Sequence, residues 1–185
     1  AMANTFLHAR GIDMGTSKRE ADKIDEVKQI YAIALKKVGK EKVDAFLQLP
    51  SDVAVAKSVD SRAARTVVPV RAIPSGMMAL DIGDQTIERY VAAIESAQTV
   101  IWNGTLGLAE INTFAHGSAR IAMALATHPK IVSVIGGGDT ADFVLDWDSQ
   151  DGKSFSHVST GGGASLELLS GKKLPGIESL LDARR

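Results

Sequence analysis

Two glycine triplets have the residue types and the spacing to do chemistry. Gly136-Gly137-Gly138 runs into Asp139-Thr140, and Gly161-Gly162-Gly163 stands between Thr160 and Ala164-Ser165. Each lies between a short β-like run and a helix-like run, with Ile131 to Ile135 before the first and His157-Val158-Ser159 before the second. Glycine admits positive φ and brings bare N–H groups against a ligand, while the helix start behind it adds unpaired donors and partial positive charge. Such turns suit an anion, and two of them suggest a nucleotide site. The alternative is a tight turn that lets helix and sheet pack closely. Gly171-Lys172 is followed by Lys173 and lacks the upstream glycine of G-x-x-x-x-G-K-[ST], and no G-x-G-x-x-G falls between strand and helix. P-loop and dinucleotide readings are therefore disfavoured.

The polar residues around the triplets each have an ordinary reading beside the functional one. Asp139 could cap the following helix or hold a divalent cation beside phosphates. Asn103-Gly104 closes a strand-like run and reads equally as a turn, and Glu110 reads as a first-turn acid favoured by the helix dipole. His8, His116, His128 and His157 show no metal-ligand spacing and no triad relation, so they are taken as structural or surface groups. Trp102, Phe6 and Trp147 read as core rather than as base-stacking groups, and Lys172 and Lys173 as solvated lysines at a helix end.

Alternating strand and helix signals must position these residues. From Glu20 to Val38 apolar side chains recur every three or four residues, which predicts a helix with one buried face and Gly39 as its C-cap. Val53 to Val55, Thr66 to Val70 and Met77 to Ile82 read as short strands, and Asp84 is expected to cap a helix through Ile87, Val91 and Ile94. Thr99 to Trp102 reads as a strand, Ile111 to Ala126 as a helix, and Ile131 to Ile135 as a strand buried on both faces. The pattern predicts an α/β fold: a Rossmann-like, doubly wound parallel sheet with its glycine motifs at the carboxyl edge of the strands.

The 185 residues suffice for one well-buried domain and are too few for two of typical size. With 45% hydrophobic residues, 23% charged residues and a net charge of −1, there is no basic field for nucleic acid or anionic lipid. No apolar run approaches the length of a membrane span. The absence of cysteine excludes disulfides, thiolate metal sites and cysteine nucleophiles, and fits a cytoplasmic location. The first residues carry no basic segment leading into an apolar stretch, and the alanine before Met2 reads as a cloning remnant.

Taken together, the motifs resemble the later part of the C-terminal, nucleotide-binding domain of phosphoglycerate kinase. The likeness starts at Met2-Ala3-Asn4-Thr5-Phe6-Leu7 and passes through Leu49-Pro50-Ser51-Asp52-Val53 and Leu80-Asp81-Ile82-Gly83. It is strongest at Val100-Ile101-Trp102-Asn103-Gly104, and it closes with the two triplet motifs and Gly171-Lys172-Lys173-Leu174-Pro175-Gly176.

The resemblance implies reversible phosphoryl transfer between 1,3-bisphosphoglycerate and Mg-ADP, giving 3-phosphoglycerate and Mg-ATP. By the same resemblance Glu110 binds the ribose hydroxyls, and Asp139 approaches the Mg2+ that accompanies ADP or ATP, which reverses its reading as a cap. Gly136, Gly137, Gly138, Asp139 and Thr140 form the nucleotide-phosphate turn, with Asn103 and Gly104 on the strand-end loop beside it. Gly161, Gly162 and Gly163 form the turn whose helix start faces the transferring phosphoryl group, and Phe6 and Leu49 lie near the purine.

Thr105 stands where the family usually has proline and Ala109 where it commonly has an aromatic, so nucleotide affinity is expected to be weaker or altered. In the family the 3-phosphoglycerate site and a catalytic arginine belong to an N-terminal domain whose residues would precede residue 1. The expectation is thus a partial C-terminal domain over residues 1–185 of a two-domain kinase, inactive alone. An exposed sheet edge would favour a homo-oligomer, and the final segment Leu174 to Leu181 should be mobile or packed on a neighbour. The alternative is a non-catalytic nucleotide-binding or interaction fragment.

Overall fold

The computed structural model describes residues 1–60, 62–159 and 161–182. In chain order its helices are α1 (Met2–Ala9), α2 (Ile24–Val38), α3 (Val43–Phe46), α4 (Asp84–Glu95), α5 (His116–Ala126), α6 (Gly138–Trp147), α7 (Gly162–Leu169) and α8 (Pro175–Asp182). The strands are β1 (Asp52–Ala56), β2 (Thr66–Pro69), β3 (Met78–Ile82), β4 (Thr99–Asn103), β5 (Val132–Gly136) and β6 (His157–Ser159). These elements group into two compact units. Unit 1 comprises Ala1–Val91 and Leu106–Arg120, and unit 2 comprises Ala92–Thr105 and the chain from Ile121 onward.

Unit 1 is built on an antiparallel sheet of order β2-β1-β3. Every residue of β1 is buried, and Val53 and Val55 pack with Leu7, Ile12, Met14 and Val70 into one cluster. Edge strand β2 ends at Pro69, where no ladder N–H is required. Gly39 ends α2 as expected, at φ +79° with its N–H donating to the Leu35 carbonyl.

Two buried aspartates fix helix starts in this unit. Asp52 is 5% exposed; its Oδ1 accepts from the Thr86 N–H at 2.8 Å and from the Thr86 hydroxyl, and its Oδ2 accepts from the Gln85 N–H at 3.1 Å. The cap of α4 therefore comes from β1. Asp84, which the sequence reading made the cap, lies 3.6 Å from Arg65 instead. Asp81 accepts from the Gly117 N–H at 3.0 Å at the start of α5. That bond helps explain why α5 begins at His116 rather than at Ile111: before it, Asn112–Phe114 form a separate 3-10 turn. Burial pushes the Asp81 carboxyl up to about 6, against the opposing pull of N–H groups from Gly117, Ile82 and His116 and of the Arg65 charge.

Unit 2 contains the parallel sheet, in the order β4-β5-β6. Side chains alternate across it: Trp102, Ser133 and Ile135 are buried, whereas Ile101 and Val132 are about half exposed on the other face. Trp102 is a core residue as read, edge-on to Phe143, whereas Trp147 is only half-buried, tilted against Phe155. The α/β class and the parallel strands beneath the glycine motifs agree with the sequence reading. The first three strands, however, pair with one another in an antiparallel sheet. Pro175 opens α8, a favourable place for a residue without an N–H, and Leu180 and Leu181 on that helix are exposed. Among the described residues no helix is long and apolar enough to cross a membrane.

Candidate functional site

The parallel register aligns three strand ends in unit 2. Asn103 pairs with Gly136, and Gly136 with Ser159, so the loops after β4, β5 and β6 leave the sheet side by side. Gly137, at φ +94°, is the N-cap of α6, and Gly161 is the N-cap of α7. Among the described residues neither N-cap supplies a side-chain capping bond.

The two turns touch main chain to main chain. A Cβ on Gly162 would overlap the backbone N and Cα of Gly137, so no residue with a side chain fits there without moving one turn. The Asn103 amide borders both turns: a Cβ built on Gly137 would lie 3.2 Å from its Oδ1, and one built on Gly162 would lie 3.4 Å from its Nδ2. The Gly104 N–H donates to the Thr140 hydroxyl at 2.8 Å, which ties the loop after β4 to the first turn of α6. Trp102 Nε1 donates to the Gly104 carbonyl at 2.8 Å and steadies the same loop from the core.

Gly138, Asp139 and Gly163 are exposed on this edge, and the space beside Gly138 and Gly163 is open. Asp139 sits in the first turn of α6, where its charge complements the dipole, and among the described residues it enters no ion pair. The Ser159 hydroxyl accepts from the Gly161 N–H at 3.2 Å. Sequence reasoning did not single out Ser159; its signal was its place directly before the second triplet motif. Thr160 lies outside the described residues.

A sequence profile described as phosphoglycerate kinase matches residues 1–172. The chain belongs to the phosphoglycerate kinase family. It is 46% identical over 184 residues to phosphoglycerate kinase of Chloroflexus aurantiacus and 47% identical over 186 residues to that of Akkermansia muciniphila, covering 98% of this chain and 44% of each relative. The chain thus spans less than half the length of those relatives. Among solved structures, phosphoglycerate kinase from Coxiella burnetii superposes with a TM-score of 0.81 at 36% identity, over 95% of this chain and 43% of that one. The enzyme from Pyrococcus horikoshii gives 0.68 at 28% identity, over 97% and 43%.

The residues that the family resemblance singled out fall in both units. Asn103, Gly104, Gly136 to Thr140 and Gly161 to Gly163 are gathered at one strand edge of unit 2. Glu110 lies in unit 1, exposed on the loop before α5. Phe6 and Leu49 are half-buried in unit 1, Phe6 at 6.0 Å from the Tyr31 ring and Leu49 against the Leu7 cluster. Leu49 also borders a cavity of about 340 Å³ with Arg10, Arg71 and Arg89 at its rim.

Proposed function

We propose that this chain carries the nucleotide half of a phosphoglycerate kinase, acting in the cytoplasm on ADP and ATP in reversible phosphoryl transfer with 1,3-bisphosphoglycerate and 3-phosphoglycerate. The reading is carried by the main-chain contact between Gly162 and Gly137, which sets two helix starts without side-chain caps side by side at the end of a parallel sheet. Phosphoryl transfer needs positioning and charge neutralisation more than covalent help, so N–H groups aimed from fixed main chain are suitable parts. N–H groups at the start of α6 hold the nucleotide phosphates, those at the start of α7 face the phosphoryl group in transit, and Glu110 accepts from the ribose hydroxyls.

The donor set fits Mg2+. Asp139 offers one exposed carboxylate, and no cluster of three ligating side chains exists among the described residues. Mg2+ is commonly held in this way, by one or two carboxylates together with phosphate oxygens and water. When bound, the ion neutralises charge on the phosphate oxygens. Beside Asp139 and the Glu110 carboxylate, the site's contribution comes from main chain that orients the nucleotide.

Calorimetric titration with Mg-ADP tests the reading. The 185-residue chain should bind, Asp139→Asn should weaken binding and Gly162→Val should abolish it. A chain that gives no heat with Mg-ADP would sink the proposal. A coupled assay with 3-phosphoglycerate and ATP should show no turnover by these residues alone, and turnover would overturn the assignment of the acceptor site to another domain.

A further inference from the structure

The loop that carries Glu110 is held at its base by β3. The Leu108 N–H donates to the Leu80 carbonyl at 2.8 Å, and the Gly117 N–H donates to Asp81 Oδ2 at 3.0 Å. The Asp81 side chain is 4% exposed, and its Oδ1 accepts from the Ile82 N–H at 2.8 Å. Both ends of the loop close over this carboxylate. A Cβ on Gly107 would come within 2.5 Å of Asp81 Oδ1 and would overlap the Phe114 carbonyl, and one on Gly117 would come within 2.6 Å of Oδ1. Ser118 Oγ accepts from the Leu106 N–H at 2.9 Å and donates to the Leu106 carbonyl at 2.8 Å, pinning the start of the loop to the start of α5. Within the loop, Phe114 is fully buried. Glu110 stands exposed on this loop.

We propose that Asp81 is a positioning residue for nucleotide binding: its buried carboxylate anchors the 106–117 loop and thereby places Glu110 for the ribose hydroxyls. The inference rests on the reading of Glu110 as the ribose-binding carboxylate. A plain structural cap would support α5 and the fold alone. An anchor for Glu110 affects ribose-bearing ligands and spares those without ribose. The groups facing Asp81 are the main-chain N–H donors already named and the Arg65 guanidinium, which donates to the Ile82 carbonyl at 3.4 Å.

The test compares Mg-ADP with Mg-pyrophosphate, which lacks ribose, on the wild-type chain and on Asp81→Asn, Glu110→Gln and the double variant. Asparagine keeps the shape and turns one acceptor into a donor facing N–H groups. Asp81→Asn should weaken Mg-ADP about tenfold, as expected for one lost charge-assisted hydrogen bond, and should leave pyrophosphate unchanged. In the Glu110→Gln background it should have no further effect. Equal losses for both ligands, or the full loss repeated in that background, would overturn the positioning role. Gly107→Ala forces the loop off an intact Asp81 and should give the same pattern, so the question survives if Asp81→Asn does not fold. If Glu110→Gln binds Mg-ADP like wild type, the ribose reading fails, and the positioning role with it. Amide exchange at Leu108 and Gly117 tests the anchor separately: it should quicken in Asp81→Asn, and unchanged exchange would overturn the anchoring itself.

Discussion

The helix starts of unit 1 and unit 2 are closed in opposite ways. In unit 1, α4 begins against the Asp52 carboxylate and α5 against the Asp81 carboxylate, both buried on strands that precede the helices in sequence. In unit 2, α6 and α7 begin on Gly137 and Gly161 with no side-chain cap. Both kinds of start present the same N–H groups and the same partial positive charge. Where a carboxylate of the chain takes them, the helix is locked to the sheet and nothing remains for a ligand. Where glycine leaves them open at a strand edge, the chain gives up a cap worth about 1 kcal/mol and keeps an anion cradle.

The comparison breaks most visibly at Gly162. Gly162→Val must push against the Gly137 backbone, so stability should fall by about 1–3 kcal/mol or more in urea denaturation and Mg-ADP binding should be lost. Unchanged binding would mean that the two turns need not touch. The next effect is electrostatic. The Asp81 carboxyl is raised from 3.8 to about 6, so it contributes stability that is fully present below about pH 3.8 and lost as pH rises through 6, by about 3 kcal/mol. Asp81→Asn cannot titrate, so its stability measured against pH should lack that fall. Parallel curves for the two proteins would refute it. Asp52→Ala leaves two main-chain donors of α4 without their partner and should cost about 2 kcal/mol, read from the urea midpoint. Smallest in stability is Asp139→Asn. An exposed side chain that caps nothing should change folding by less than about 0.5 kcal/mol while weakening Mg-ADP about tenfold. A cap-sized loss of stability would return Asp139 to an ordinary structural role.

What the sequence disclosed was the part governed by local rules. The strand run before Gly136 and the helix end at Gly39 depend on neighbours a few residues apart and were found where the sequence put them. The strand is not buried on both faces, however, since Val132 is half exposed, and the helix begins at Ile24 rather than Glu20. The Asp52 cap joins residues 34 positions apart, so Asp84, at the very start of the helix, looked like the better candidate. The start of α5 was misplaced for the same reason, since Ile111 and Phe114 continue a helical spacing that the hold of Asp81 on Gly117 interrupts. Helix α1 was missed because its buried residues are only Thr5 and Leu7, too few to make a period. Antiparallel pairing of β1 with β2 and β3 left no mark either, because a short apolar run reads alike in both sheet types. The cluster of Asn103, Gly137, Thr140 and Gly162 was legible as separate motifs, and the family resemblance put them at one site before any geometry was known.

Contact between Gly162 and Gly137 joins the two turns into one strip of main chain, bordered by the Asn103 amide. Every peptide offers the same N–H, so recognition by such a strip depends on its curvature and is blind to which base the phosphate belongs to. Discrimination between one nucleotide and another must therefore be made by side chains outside the strip. Substitutions there can retune base preference while the strip keeps its grip on phosphate.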